Sequence, residues 1–226
     1  MVTLAQLPQE RLIVFTRYPE PGQVKTRLIL ALGGLGAATV HRQMTEHTLL
    51  QVRKLRSTNG ISIEIHFDGN GHQQMQDWLG ADLVYQSQSN GDLGWRMARS
   101  ISEACQDGIE RVAIVGTDCP ELNAELMKTA FHQLLTHDLV LGPAIDGGYY
   151  LIGLRYFIPE LFFGISWGTD RVLSQTVEIA NKLNLSVAYL PDLADVDRPE
   201  DLPVWEQIQR ASGTSGEALQ QLAEVT

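Results

Sequence analysis

The chain has 226 residues, 44% hydrophobic and 19% charged, the composition of an ordinary globular enzyme, and no apolar run approaches the roughly 20 residues that cross a bilayer. A formal net charge of −10 excludes a dedicated nucleic-acid partner, because binding to phosphate backbones rests on clustered lysine and arginine. Only Cys105 and Cys119 occur, without disulfide spacing, and Met1 to Glu10 lacks the pattern of a signal peptide, so a reducing cytoplasm is expected.

Leu12 to Phe15 reads as a buried strand. It runs into Thr16-Arg17-Tyr18-Pro19-Glu20-Pro21-Gly22, a loop whose prolines and glycine stop either regular element. From Gly36 to Arg56, Val40, Met44, Val52 and Leu55 recur at helical spacing, and Asn59-Gly60 ends the helix. Ile61, Ile63, Ile65 and Phe67 alternate with Ser62, Glu64 and His66, which predicts a strand with one polar face. Asp68 to Gly71 is a turn, Met75 to Leu79 a short helix, Leu83 to Tyr85 a short strand, and Gln86 to Gly91 a polar run. The pattern then predicts a helix over Leu93 to Gln106, a strand over Val112 to Val115, a helix over Leu122 to Leu135 and a strand over Leu139 to Leu141. Tyr149 to Leu154 is a further strand, Val172 to Leu183 a helix, Val187 to Leu190 a strand, and Leu202 to Ala211 a last helix after Pro199. Sustained alternation of strand and helix predicts a three-layer α/β/α sandwich around a mostly parallel, Rossmann-like sheet. No linker appears, so a single domain is expected over residues 1–211, followed by a tail over 212–226 rich in Gly, Ser, Ala and Glu.

Chemistry concentrates where strands end. Gly116-Thr-Asp118-Cys-Pro120 and Gly142-Pro-Ala-Ile-Asp146-Gly147-Gly148 each place a carboxylate just beyond an apolar run, where open α/β sheets bind ligands. Such carboxylates suit magnesium or manganese, hard ions that also take phosphate oxygens. Lys25-Thr26-Arg27 follows the first loop and has a phosphate-gripping composition, although it lacks the glycine and lysine spacing of the nucleotide-triphosphatase loop. Asp92 and Arg96 lie on the first turn of a predicted helix and suit a nucleotide or sugar, or simply a solvated helix start. Asp195 and Asp197 form a third acidic cluster, in which one faces a site and Asp197 is equally suited to capping the last helix. Asp118 has the same alternative as a cap, and Asp146-Gly147-Gly148 as a plain hairpin turn. The six histidines show no helical i, i+4 pair, which argues against zinc, and Cys119 reads as a small buried residue.

Taken together, Phe15 to Gly22, Lys25-Thr-Arg-Leu28, Gly91-Asp-Leu-Gly94, Gly116 to Pro120, Gly142-Pro-Ala and Asp146 to Leu151 resemble a bacterial family of glycosyltransferases of the arsenosugar-biosynthesis type. That family is similar to the nucleotide-diphospho-sugar transferases, whose fold also serves 2-phospholactate and molybdenum-cofactor guanylyltransferases. The resemblance implies that Asp118 is a metal-binding aspartate, with Asp195 and Asp197 in an acidic segment that helps hold the ion. It also implies that Lys25 and Arg27 are the basic pair after the first strand; Thr16, Arg17, Asp92, Arg96, Gly147 and Gly148 complete the candidate nucleotide- and phosphate-binding set. Arg198 stands where threonine is usual, and Phe15 to Gly22 replaces the glycine-rich loop of many nucleotidyltransferases, which leaves the base open.

The expected activity is metal-dependent transfer of a sugar from a nucleotide diphosphate to a small-molecule acceptor. Asp118 would hold Mg2+ or Mn2+, Lys25 and Arg27 would grip phosphate, and Asp146 would be a second metal ligand or the base at the acceptor hydroxyl. Two alternatives stand beside it: nucleotidyl transfer from a nucleoside triphosphate to a phosphorylated acceptor, and a nucleotide-binding module without turnover. Oligomeric state is not legible in the sequence.

Overall fold

The computed structural model describes residues 9–56, 60–69 and 71–211. The leader reading of Met1 to Pro8, Asn59 and Asn70 of the predicted turns, and the tail over 212–226 lie outside the described residues. The strands in chain order are β1 (Glu10–Arg17), β2 (Ile61–Asp68), β3 (Val84–Ser87), β4 (Arg111–Val115), β5 (Leu139–Pro143), β6 (Tyr149–Leu154) and β7 (Val187–Tyr189). They form one sheet in the order β3-β2-β1-β4-β6-β5-β7. All neighbours are parallel except β6, which runs antiparallel between β4 and β5.

The helices are α1 (Ile29–Arg56), α2 (His72–Leu79), α3 (Leu93–Gln106), α4 (Ala124–Gln133), α5 (Val172–Lys182) and α6 (Leu202–Ala211). Side chains of α1, α2 and α4, among them Leu49, Val52, Met75, Met127 and Phe131, pack on Leu12 and Val14 on one face of the sheet. Met97 and Ile101 of α3 and Ala180 of α5 pack on Ile13, Ile114 and Ile152 on the other. Burial on both faces explains why β1 and β4 read as continuous apolar runs rather than alternating ones. Trp205 of α6 closes a separate cluster with Leu28, Val40 and Met44 at the start of α1. Among the described residues no helix is long and apolar enough to cross a membrane.

Three local differences from the sequence reading bear on the site. β1 continues through Thr16 and Arg17, so both belong to the strand end and not to the loop. α1 starts at Ile29, ahead of Gly36, with a break at Gly33 (φ 69°, ψ 168°) that only glycine adopts without strain. The polar face of β2 does not meet water: His66 lies 3.0 Å from Glu64 and 2.8 Å from Ser100 of α3, and Arg11 lies 3.1 Å from Glu64. Each buried polar group there has a partner, which is the condition for covering that face with a helix.

Candidate functional site

The order of the sheet reverses between β1 and β4, and ligands of open α/β sheets enter at such a point beyond the carboxyl ends of the strands. Arg17 ends β1, Asp68 ends β2, and Asp118 lies just past β4. Two adjoining cavities of 590 and 320 Å³ open here, and both are lined by Arg17, His41, Asp118, Tyr149 and Tyr150.

The segment between β1 and α1 builds a basic wall in which each cation meets an acid. Lys25 has a left-handed backbone (φ 42°), and only 3% of its side chain is exposed. Its Nζ donates to Asp118 Oδ1 at 2.6 Å and to the Val196 carbonyl at 2.6 Å. The Val196 N–H donates back to the Asp118 carbonyl at 2.9 Å, so the pair ties three segments together. Arg27 reaches Asp197 at 2.6 Å and Arg17 reaches Asp68 at 2.8 Å. Desolvation in the cleft pushes the Asp118 carboxyl up, but the Lys25 charge and hydrogen bond, with His41 and Arg17, outweigh it and hold the carboxyl below its ordinary range. Asp118 still leaves 55% of its side chain open to the cleft.

The opposite wall is acidic and aromatic. β5 and β6 form a hairpin, so the turn reading of Asp146-Gly147-Gly148 and its exposure to a ligand are both accommodated. Asp146 Oδ1 accepts the Gly148 N–H at 2.8 Å, which orients the carboxylate at the tip. Gly147 has φ 89°, and a Cβ there would strike the backbone of Asp170. Its carbonyl accepts from Leu173 N–H at 2.9 Å, seating the tip on the start of α5. Burial and the nearby Asp146 charge push the Asp195 carboxyl up. Tyr149 and Trp167 meet edge to face at 6.4 Å, and Thr169 and Val172 line the same cavity.

Thr16 is buried, its hydroxyl 3.3 Å from Thr45, which in turn donates to Thr117 at 3.4 Å, so it links β1 to the Asp118 turn. Arg96 bonds Asp68 at 3.0 Å and Gln88 at 3.3 Å in the smaller cavity. Asp92 accepts from Trp95 N–H at 2.8 Å as the cap of α3 and is absent from the lining of either cavity. The capping alternatives fall away elsewhere: Asn123 caps α4, and the Asp201 carboxylate receives the N–H groups of Asp197 and Arg198. Cys119 is buried, and burial with the charges of Asp118, Asp195 and Asp146 pushes its thiol far up, which suits packing and not nucleophilic attack.

Several lining residues escape the sequence reading. His41 of α1 faces both cavities, its Nε2 lying 3.1 Å from the Arg17 carbonyl, and burial holds its pKa below the usual value. Its helical spacing resembles that of the core positions beside it. Asp68 is a strand-end carboxylate followed by glycine, so the rule that singles out Asp118 also reaches it. Trp167 carries no local signal, whereas Gln88 lies in the polar run Gln86 to Gly91 and Tyr149 in the Asp146 to Leu151 block.

The profile of a family described as an uncharacterized protein conserved in bacteria (DUF2064) matches residues 51–169, just over half of the chain. The chain belongs to this family. A protein of Desulfovibrio desulfuricans G20, named as a candidate nucleotide-diphospho-sugar transferase, is 34% identical over 96% of this chain and 95% of its own, with a TM-score of 0.85. A cytidylyltransferase from Leptospira borgpetersenii serovar Hardjo-bovis (12% identity, 96% and 93% covered, TM-score 0.58) shares the fold. So does the inositol-1-phosphate CTP transferase from T. maritima (13% identity, 91% and 97% covered, TM-score 0.56). No curated protein matches the chain in sequence.

Proposed function

We propose that the protein is a glycosyltransferase that takes a sugar from a nucleotide-diphosphate donor. The observation that carries this reading is the convergence of Arg17, Lys25 and Arg27 with Asp118, Asp146 and Asp195 on one cleft at the reversal point of the sheet. The name of the 34% identical relative and the resemblance to the arsenosugar-type family support the same choice.

Lys25 and Arg27 neutralise the diphosphate, Lys25 with the N–H that its two protein partners leave over. The nucleoside takes the smaller cavity, between Leu93 and the Asp68–Arg96–Gln88 group. Asp146, oriented by the Gly148 N–H, accepts the proton of the acceptor hydroxyl as that oxygen attacks the sugar. Among the described residues no three His, Cys, Asp or Glu side chains already stand in a metal-binding arrangement. Magnesium or manganese nevertheless fits the donor chemistry, because Asp195 is crowded by Asp146 and a cation would relieve that repulsion. Asp118 and Asp195 would hold the ion, which supplies positive charge to the leaving diphosphate. Asp197 is the partner of Arg27 and orients it.

The test is a thermal-shift panel of nucleotide sugars and nucleoside triphosphates with and without Mg2+ or Mn2+, since ligands that prefer the native state raise its apparent stability. The reading requires a metal-dependent shift with a nucleotide sugar and release of a nucleoside diphosphate on turnover. Pyrophosphate release from a triphosphate would replace it with nucleotidyl transfer, and binding without any product would leave a nucleotide-binding module.

A further inference from the structure

We infer that the acceptor is an uncharged or cationic polyhydroxy compound with an apolar face, and not a phosphorylated one, held between the β5–β6 hairpin tip and Trp167. The inference rests on the glycosyltransferase reading and names its second substrate class.

The cations that line the larger cavity come from one segment, and each is paired with an acid. The lysine and arginine side chains lining the larger cavity are Arg17, Lys25 and Arg27, all from the β1–α1 segment. The part bounded by the hairpin tip and the loop before α5 contributes Asp146 together with Tyr149, Trp167, Thr169 and Val172, and Asp195 lies between the two, next to Val196 and Asp197, the partners of Lys25 and Arg27. A phosphate placed there would face the Asp146 carboxylate, with no lysine or arginine among the residues that line that part. A divalent ion held by Asp118 and Asp195 would be shared with the donor diphosphate, which leaves Asp146 as the charge that an acceptor meets. Hydroxyl and ammonium groups, by contrast, donate to carboxylates. The Thr169 hydroxyl gives its proton to the Ser166 carbonyl at 2.7 Å, so toward a ligand it too is an acceptor. Among the lining side chains there, Asp146 and Thr169 offer acceptors to a ligand. Tyr149 and Trp167 supply an aromatic surface on which the apolar face of a ring can rest. Backbone contacts between Gly147 and the Asp170–Leu173 segment fix these two boundaries relative to each other.

The experiment is saturation-transfer NMR on the full chain with matched probes: glucose, glucosamine and glucose 6-phosphate. Uridine or guanosine diphosphate with Mg2+ is present throughout, whichever raises Tm more, so that the basic wall is filled and cannot capture the phosphate. Glucose or glucosamine should bind at least roughly tenfold more tightly than glucose 6-phosphate, as expected for a site that rejects by like charge. The double variant Asp146→Asn/Asp195→Asn should lose that discrimination, and Trp167→Ala should weaken the neutral probes while leaving the diphosphate shift in place. Preference for glucose 6-phosphate in the unmodified chain, or binding of none of the three probes, would overturn the inference. The donor reading is scored separately, by the diphosphate and nucleotide-sugar shifts, so the two can fail independently.

Discussion

Replacing Asp118 by alanine strands a lysine whose side chain is 3% exposed, whereas replacing Lys25 by methionine strands a carboxylate that is 55% open to water. The two halves of one ion pair should therefore differ in cost. Removing one partner of a fully buried pair costs about 3–5 kcal/mol, and an exposed pair contributes about 0–1 kcal/mol. Here the stranded cation is buried but keeps the Val196 carbonyl, so Asp118→Ala should cost about 2 kcal/mol, between those limits. At roughly 2–4 °C per kcal/mol for a chain of this size, Tm falls by about 4–8 °C. Lys25→Met leaves Asp118 to solvent and keeps a non-glycine residue at φ 42°, so its cost should be about 1 kcal/mol, mostly from the Val196 carbonyl that loses its donor. The Lys25→Met/Asp118→Ala double variant should recover most of the loss of Asp118→Ala. The sign with pH follows from the depressed Asp118 carboxyl: its stabilisation is present above the unfolded value of about 3.9 and is lost as pH falls through the lower folded value. Calorimetric Tm values of unmodified protein and Asp118→Ala should thus converge as pH is lowered toward the acid limit. A smaller loss for Asp118→Ala than for Lys25→Met, or a gap between unmodified protein and Asp118→Ala indifferent to acid, would refute the reasoning.

Asp146→Asn keeps the size and the turn but removes the base, so kcat should fall by about 10²-fold or more while the nucleotide-sugar thermal shift is retained; loss of the shift would place Asp146 in donor binding instead. Asp195 has a raised carboxyl, so its ionisation opposes folding above its folded pKa, and the penalty fades as pH drops through that value. Asp195→Asn should accordingly raise Tm by about 1–3 °C near neutrality and by nothing in acid, at the expense of activity. Gly147→Ala combines φ 89° with a clash against the Asp170 backbone and should cost about 2 kcal/mol or more, measured by denaturant unfolding. Cys119 should resist iodoacetamide in the native state and react only on unfolding; rapid native labelling would contradict its burial and raised pKa.

The architecture was largely legible because periodicity reports burial directly. α3 and α6 begin and end where the apolar pattern does, and the short apolar runs at Leu12, Val112 and Leu139 are strands covered on both faces. Boundaries slipped where a local signal competed with packing. The helix read from Gly36 in fact begins at Ile29, with a non-helical break at Gly33 that the apolar pattern does not show. The alternation in β2 implied a wet face, but the partners that make Glu64 and His66 tolerable inside come from α3 and from Arg11 of another strand.

For the site, the sequence by itself determined that Asp118 and, through its Asp-Gly-Gly turn, Asp146 stand at strand ends, whereas Arg17 read as loop and joins them because β1 runs beyond its apolar run. Strand ends are set by local pattern, and in a parallel sheet they all arrive at one edge. Only the tertiary structure decided the pairings across that edge. Lys25 meets Asp118, 93 positions away, and Arg27 meets Asp197, 170 positions away, because the β1–α1 segment, the β4 end and the chain after β7 converge there. The same convergence brought His41 and Trp167 into the cleft. No spacing rule reaches those outcomes, since they depend on strand order and on where β6 reverses, and strand order is settled by packing over the whole sheet.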